Sequence, residues 1–139
     1  MLVLDTDHLS AMGYSTALGK RLVERLESSG REVCTTAISV DEQLSGLLAA
    51  IHSRREPDAE IEPYAELVAR VEFLASFLIL PWDDDAVRRF QQMKAERIRS
   101  GTMDLKIASI VMAHDATLLT RNTRDFVHVP GLRFENWVD

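Results

Sequence analysis

Cysteine is almost absent from this chain, since Cys34 is the only one among 139 residues. Disulfides within the chain are therefore excluded, and a cysteine-rich metal site is excluded with them. The four histidines show no paired ligand spacing, so a zinc site built on histidine is not indicated either. No apolar run approaches the roughly 20 residues that cross a bilayer. No basic segment precedes the apolar N-terminus as in a signal peptide, and we expect a cytoplasmic protein with no membrane partner.

Basic residues are in the minority, with 16 Lys and Arg against 22 Asp and Glu and a net charge of −6. This balance argues against a protein that coats polyanions through many phosphate contacts. It does not exclude a nuclease, because metal-binding carboxylates add to the negative count. One local stretch is basic, and it forms either a contact surface for a nucleic acid backbone or a solvated helix face: Arg88, Arg89, Lys94, Arg97 and Arg99.

Short apolar runs alternate with helical patterns along the chain, which predicts βαβ units around a parallel sheet in a single domain, residues 1–139. The predicted strands are 2–4, 32–36, 78–80, 117–120 and 132–134. The predicted helices run from about 18 to Gly30, from Ser39 to about 51, over 59–77, from Asp83 or Asp84 to Gly101, and over 103–114. We expect the second, third and fourth helices to pack on one side of the sheet. The third should turn one apolar stripe inward: Tyr64, Leu67, Val68, Val71 and Leu74.

Acidic residues follow several of these elements. Asp5 comes directly after the first strand, and Glu42, Asp104 and Asp125 follow comparable landmarks. Because the carboxyl ends of parallel strands share one edge of a sheet, we expect the four acids to meet there. Carboxylates from separate elements repel one another unless a cation is present, and oxygen ligands suit Mg²⁺ or Mn²⁺. The pattern therefore predicts a metal site that acts on phosphodiester bonds.

Three of the acids also have purely structural explanations. Ser39 and Glu42 have the spacing of a helix capping box, which taken alone is the better explanation of Glu42. Asp104 lies in the first turn of its helix, where the helix dipole favours an anion. Asp125 can cap a turn. Asp5 lacks such an explanation, because an acid at the end of a central strand needs a partner or a cation.

Four segments resemble one known family over the whole chain: 4–7 (LDTD), 39–46 (SVDEQLSG), 104–109 (DLKIAS) and 120–126 (TRNTRDF). The last is followed by 129–132 (VPGL) and 135–137 (ENW). In order and spacing these segments are similar to those of PIN-domain ribonucleases, and more closely to VapC-type toxins of bacterial toxin-antitoxin pairs. The resemblance implies an α/β fold, a PIN-like three-layer sandwich with a central parallel sheet flanked by helices.

The resemblance also implies a set of site residues. Asp5, Glu42 and Asp104 match the family's first three metal-site acids, and the fourth position falls on Asp125, which we favour, or on Asn122.

Thr6 and Thr120 would supply hydroxyl groups that support these acids. Two residues depart from the family pattern. Asp7 stands where many members have asparagine, and it is a candidate outer ligand of the metal. Lys106 replaces an apolar residue, and it is a candidate substrate contact. The alternative is that both side chains simply face solvent.

The activity implied is Mg²⁺-dependent endonucleolytic cleavage of RNA, with tRNA among the candidate substrates. The implied partners are a VapB-type antitoxin, which presents an arginine to the acids, and a second copy of the chain in a homodimer. Two other functions stay open. Asp5-Thr6-Asp7 after a strand also resembles the opening motif of haloacid-dehalogenase-type phosphatases, in which the first aspartate is a nucleophile. A non-catalytic PIN-type binding module would keep the acidic pocket without turnover.

Overall fold

The computed structural model describes all 139 residues and contains a five-stranded, wholly parallel sheet. The strand order is β3-β2-β1-β4-β5. All five predicted strands are confirmed to within one residue at either end. They are β1 (Leu2–Leu4), β2 (Val33–Thr36), β3 (Leu78–Leu80), β4 (Thr117–Leu119) and β5 (Arg133–Glu135).

Seven helices surround the sheet: α1 (Thr6–Gly13), α2 (Ala17–Ser29), α3 (Ala37–His52), α4 (Ile61–Ala75), α5 (Asp84–Ala95), α6 (Thr102–Ala113) and α7 (Thr123–Phe126). A 3-10 turn, Pro57–Glu60, precedes α4. The helices α1 and α7 were not predicted. Gly30 ends α2 in the left-handed conformation with φ 63°, as expected for a glycine at that position. The fourth predicted helix ends earlier than Gly101, because Arg97 leaves helical geometry with φ 55°. None of the helices is both long and apolar enough to cross a membrane.

Two apolar cores lie on opposite faces of the sheet, which confirms the three-layer prediction. The alternation of side chains along β1 sends Val3 to one core and Leu2 and Leu4 to the other. Prediction and structure differ for the middle helices, which were expected on one side. Leu74 of α4 joins the core of Leu2, whereas Met93 of α5 joins the core of Val3. The cause is β3, which comes between α4 and α5 and lets the chain cross the sheet.

The apolar stripe predicted to face inward on α4 lies largely outside. Tyr64, Val68 and Val71 are 47%, 58% and 47% exposed, and only Leu74 of that stripe is fully buried. The helix packs mainly against α3 instead of lying on the sheet. Its buried side carries Arg70 and Leu74, one turn apart. The prediction for Tyr64, Val68 and Val71 is therefore wrong.

Candidate active site

Asp5 lies where β1 ends and caps the N-terminus of α1. The residue is 6% exposed, and its carboxylate is held at both oxygens. Oδ1 accepts a 2.7 Å hydrogen bond from the Thr6 backbone N–H, and Oδ2 accepts a 2.7 Å hydrogen bond from the Thr120 hydroxyl. Burial is the main cause that raises the pKa of Asp5 to about 6; the charges of Asp7 and Asp104 act in the same direction, and the hydrogen bonds from Thr120 and Thr6 oppose them.

Glu42 lies in the second turn of α3, and the capping box predicted for it is wrong. The cap of α3 is Thr36, whose hydroxyl oxygen accepts a 3.1 Å hydrogen bond from the Ser39 backbone N–H. The helix begins directly after β2, so Ser39 is already inside it. Glu42 Oε1 is buried and has no hydrogen-bond partner. Burial, followed by the charges of Asp5 and Asp104, raises the pKa of Glu42 to about 7.

Asp104 lies in the first turn of α6, as predicted, and faces the same region. Its Oδ2 accepts a 3.1 Å hydrogen bond from the side-chain amide of Asn122. Burial is the main cause that raises the pKa of Asp104, and the charge of Asp125 is the next. The interaction with Asn122 opposes both.

The two candidates for the fourth position both reach Asp104, in different ways. Asn122 contacts it directly, and the Asn122 backbone N–H donates a 3.0 Å hydrogen bond to the Thr120 hydroxyl oxygen. Asp125 lies on α7, is exposed, and acts on Asp104 through its charge. The geometry thus places Asn122 inside the cluster and Asp125 at its solvent side.

The two threonines predicted to support the acids behave differently. The Thr120 hydroxyl contacts Asp5, as the prediction requires. The Thr6 hydroxyl is buried without a hydrogen-bond partner, and Thr6 holds Asp5 through its backbone N–H alone. The hydroxyl role predicted for Thr6 is therefore not what the structure shows. A helix-capping aspartate takes its hydrogen bond from the backbone whatever the next side chain is.

A second network, which the sequence did not suggest, holds Asp7. His8 is fully buried, its Nε2 lies 3.2 Å from the Trp137 backbone N–H, and its Nδ1 lies 2.5 Å from Asp7 Oδ1. Because the backbone N–H can only donate, Nε2 accepts, and the proton resides on Nδ1. Asp7 Oδ2 accepts a 3.0 Å hydrogen bond from the Arg121 backbone N–H. Asp7 is thus an oriented member of the cluster, and it does not simply face solvent.

The charges of this acidic cluster (Asp5, Asp7, Glu42, Asp104 and Asp125) are of one sign. No Lys or Arg is among the causes that shift the pKa of Asp5, Glu42 or Asp104. No three of these side chains are close enough to bind one ion directly. Mg²⁺ in proteins is commonly held by one or two carboxylates and keeps several waters. The unpartnered Oε1 of Glu42 is free to accept from such a water, so the residues present fit a hydrated hard cation.

The basic stretch predicted to contact RNA does not form one surface at this site. Arg89 lines a cavity beside Ala116 and Arg133, which precede β4 and begin β5 at the opposite edge of the sheet. Arg89 therefore lies away from the acidic cluster, and its contact with RNA stays a prediction. The reason is that α5 leads away from the carboxyl edge of the sheet before the chain returns to α6.

The other members of the stretch lie on α5 and in the segment that follows it. Arg88 forms an exposed ion pair with Asp85 on α5, and the ammonium of Lys94 lies 6.0 Å from the centre of the Phe90 ring. Arg97 and Arg99 are exposed in the segment that leads into α6 and Asp104.

Lys106 is not in contact with the acids. Its ammonium lies 5.6 Å from the centre of the Trp82 ring and 6.0 Å from that of Phe90. The interaction with these two rings accounts for its orientation.

The sheet has five parallel strands. One acid follows the first strand, and two more lie at the starts of helices along the same edge. This arrangement defines a PIN-type α/β domain. The family model described as "PIN domain" matches residues 2–132, and the chain belongs to this family.

Relatives within the family carry ribonuclease names. The chain is 25% identical over 118 residues to the "tRNA(fMet)-specific endonuclease VapC" of Salmonella typhimurium, covering 82% of each protein. It is 28% identical over 123 residues to "Ribonuclease VapC2" of Haemophilus influenzae, covering 84% of each.

Solved structures agree in fold. The DNA-bound VapBC complex of Salmonella typhimurium contains a chain that matches with a TM-score of 0.78 and 23% identity, over 98% of this chain and 97% of that one. FitAB bound to a DNA fragment gives a TM-score of 0.74 and 21% identity over 100% and 96%. At these identities, the likeness shows the fold.

Proposed function

We propose that this protein is a Mg²⁺-dependent endoribonuclease, with Mn²⁺ as the alternative ion, that acts in the cytoplasm as the toxin of a toxin-antitoxin pair. The observation that carries the proposal is the uncompensated acidic cluster at the carboxyl edge of a PIN fold. The ribonuclease and tRNA-specific names of relatives support RNA as the substrate class and tRNA as a first candidate.

Asp5 and Asp104 would hold the ion, which when bound supplies an acidic water and neutralises charge on the phosphate oxygens. The Thr120 hydroxyl and the Thr6 N–H keep the Asp5 carboxylate in one orientation for that purpose. Glu42 Oε1, with no partner of its own and a pKa raised to about 7, is suited to accept a proton from the attacking water. Asp125 is the alternative residue for orienting that water at the solvent side of the cluster.

A VapB-type antitoxin is the proposed partner. Five carboxylates without a cation present the charge pattern that an inserted arginine side chain complements. The solved VapBC and FitAB complexes with similar folds support this proposal. A homodimer is proposed as well, because Val68 and Val71 of α4 and Leu78 of β3 leave apolar surface exposed.

A haloacid-dehalogenase-type phosphatase is disfavoured because the chain belongs to the PIN family. A non-catalytic PIN-type module differs from the proposed enzyme only in turnover, and a cleavage experiment separates the two.

The test is to incubate the protein with total bacterial RNA in Mg²⁺ or in EDTA and to map new RNA ends. Asp5→Asn and Asp104→Asn should abolish discrete cuts that wild type makes only with the metal. Asp115→Asn is the matched control, because Asp115 lies beyond the opposite end of the helix that carries Asp104. Cleavage that persists in EDTA or in both site variants would refute the proposed mechanism. Intact RNA in every reaction would favour the binding module.

A further inference from the structure

Arg121 is a basic residue that the fold attaches to the acidic cluster. It comes two residues after β4 ends, and its backbone N–H donates a 3.0 Å hydrogen bond to Asp7 Oδ2. Its guanidinium is bound elsewhere, since Nε and Nη2 donate hydrogen bonds of 3.0 and 2.8 Å to the carboxylate of Asp139. A basic side chain is thus anchored next to the cluster.

The ion pair between Arg121 and Asp139 is of a kind that opens readily. The two side chains are 51% and 54% exposed, and pairs so exposed contribute little to stability. Asp139 also accepts a 2.8 Å hydrogen bond from the side-chain amide of Asn136, so its carboxylate keeps a partner when the arginine leaves. Phosphate and carboxylate groups both offer two acceptors to the guanidinium fork. A phosphate can therefore replace Asp139 at Arg121 at little cost.

A cavity of about 460 Å³ lies between Arg121 and α1, called here the Arg121 cavity. Asp7, Tyr14 and a single basic residue, Arg121, are among the residues that line it. Its volume falls within the range of roughly 300–1,000 Å³ that is usual for ligand sites. Because Asp7 belongs to the acidic cluster, the cavity adjoins the proposed site of cleavage.

Tyr14 supplies an aromatic surface in this cavity. The residue is 54% exposed at the end of α1. The Arg70 guanidinium lies over the ring, 5.7 Å from its centre, in a second cavity that Tyr14 also lines. A base entering the Arg121 cavity would stack on the face away from Arg70. An accessible ring beside an arginine suits single-stranded nucleic acid, whose bases stack on aromatic rings and whose phosphates bind cations.

We propose that the Arg121 cavity binds the nucleotide of single-stranded RNA that adjoins the cut, with its base on the Tyr14 ring and its phosphate on Arg121 in place of Asp139. The inference rests on the proposed nuclease function and adds a binding site outside the acidic cluster. Asp139 competes with the substrate for Arg121. The charge of Asp7 repels a phosphate, which confines the phosphate to the guanidinium end of the cavity.

The experiment measures binding of a fluorescein-labelled single-stranded RNA of about 12 nucleotides. The full chain is used in EDTA, so that no RNA is cut, at salt concentrations of about 50 to 200 mM. Arg121→Met should weaken binding about tenfold. It should also make the slope of log affinity against log salt shallower by about 0.7, the effect of one lost phosphate contact on a single strand. Arg121→Met keeps the backbone N–H that Asp7 accepts, and Arg121→Lys, which keeps the charge, should retain most of the slope.

Two further variants separate the base from the phosphate and the competitor from general charge. Tyr14→Leu should weaken binding about tenfold with an unchanged salt slope, because stacking releases no counterions. Asp139→Asn should strengthen binding about twofold to fivefold in the wild type and should add nothing specific in Arg121→Met.

The exposed ion pair between Arg133 and Asp115, at the opposite edge of the sheet, is the matched control. Asp115→Asn reports the gain from removing any surface negative charge, and Arg133→Met reports the loss from removing any positive one. The effects at Asp139 and Arg121 should exceed these two.

Three results would overturn the proposal. One is RNA binding that Arg121→Met weakens no more than Arg133→Met does. Another is a gain from Asp139→Asn that persists undiminished in Arg121→Met. The third is a wild-type protein that binds no RNA at the lowest salt concentration. Cleavage in Mg²⁺ without any Arg121 effect would refute only the nucleotide site, whereas Arg121-dependent binding without cleavage would refute only the proposed nuclease.

Discussion

The hydroxyl of Thr120 donates a 2.7 Å hydrogen bond to Oδ2 of Asp5, joining the ends of β4 and β1 across 115 residues of sequence. The same hydroxyl oxygen accepts the backbone N–H of Asn122, whose side chain contacts Asp104. One buried hydroxyl thus connects two of the acids proposed to hold the ion. Because Thr120 contacts Asp5 through its hydroxyl, its contribution to activity can be separated from that of its methyl group.

Replacing Thr120 with valine should lower RNA cleavage by about 10- to 100-fold, the usual effect of removing a group that orients a metal ligand. The lost hydrogen bond should also raise the pKa of Asp5 further, since that bond lowers it in the wild type. Thr120→Ser keeps the hydroxyl and should retain most of the activity. Initial rates of RNA cleavage across a pH series measure both effects, and equal rates for the valine and serine variants would contradict this role.

The metal-free protein should become less stable as pH rises from about 5 to about 8. The pKa of Asp5 is raised from 3.8 to about 6 and that of Glu42 from 4.5 to about 7, so the folded state binds these protons more tightly than the unfolded chain. The resulting stabilisation is complete below the unfolded values and is lost as pH passes through the folded ones. Urea unfolding in EDTA at the two pH values measures the change.

Glu42→Gln should remove part of that pH dependence and stabilise the metal-free protein by about 1 kcal/mol at about pH 8, after allowance for its partial exposure to solvent. Asp115→Asn, at the opposite edge of the sheet, should leave the slope unchanged. A Glu42→Gln protein that is less stable than wild type in EDTA would show that the carboxylate has a cationic partner in solution.

The sequence was sufficient to predict the strands and the position of three acids at one edge of the sheet, because both depend on local features. An apolar run that stops at Asp5 predicts a strand end, and parallel strand ends share one edge. It was insufficient to predict the orientation of Asp7. That orientation depends on His8, which is held by the Trp137 backbone N–H 129 residues away. It also depends on the Arg121 backbone N–H, 114 residues from Asp7. No local pattern encodes a hydrogen bond at such a separation.

The outward direction of the apolar stripe on α4 could not be predicted from the sequence either. Periodicity shows that a helix has an apolar face, but it does not show whether that face meets a core, a partner or solvent. The buried stripe of α4 contains Arg70, a residue type that is seldom buried without a partner. Similarly, Thr36 rather than Ser39 caps α3 because β2 and α3 are joined without a loop, a boundary that propensity alone does not resolve.

Two glycines offer a matched pair of substitutions with opposite outcomes. A Cβ on Gly19 would lie 2.4 Å from the Ala11 carbonyl oxygen and 2.7 Å from that of Tyr14, so α1 and α2 would have to separate. Gly19→Ala should destabilise the protein by about 2 kcal/mol or more. Gly46 has open space around it inside α3, and Gly46→Ala should stabilise by about 0.5–1 kcal/mol. Denaturant midpoints give both values, and a neutral Gly19→Ala would argue against this approach of α1 and α2.

His8 should carry its proton on Nδ1, and its loss should destabilise the protein. Replacing His8 with leucine leaves the Trp137 N–H without its acceptor and Asp7 without one donor, for an expected loss of about 2–3 kcal/mol. The exposed His114 is the control, and His114→Leu should change stability by less than about 0.5 kcal/mol. Long-range ¹⁵N NMR reads the tautomer directly. Finding the proton on Nε2 would exclude the hydrogen bond from Trp137.

Mg²⁺ should stabilise the wild-type protein, and two variants should distinguish the candidates for the fourth position of the site. A ligand at 100 times its dissociation constant adds about 2.7 kcal/mol to the free energy of unfolding. Asp125→Asn removes the charge that acts most strongly on Asp104 after burial, so it should weaken Mg²⁺ binding severalfold at low salt and less at high salt. Asn122→Ala removes a neutral contact with Asp104, so any loss of Mg²⁺ affinity should be independent of salt.

Thermal unfolding across Mg²⁺ concentrations at two ionic strengths measures each case. If Asp125→Asn leaves the Mg²⁺ dependence unchanged while Asn122→Ala abolishes it, Asn122 is the fourth site residue and our preference for Asp125 is wrong.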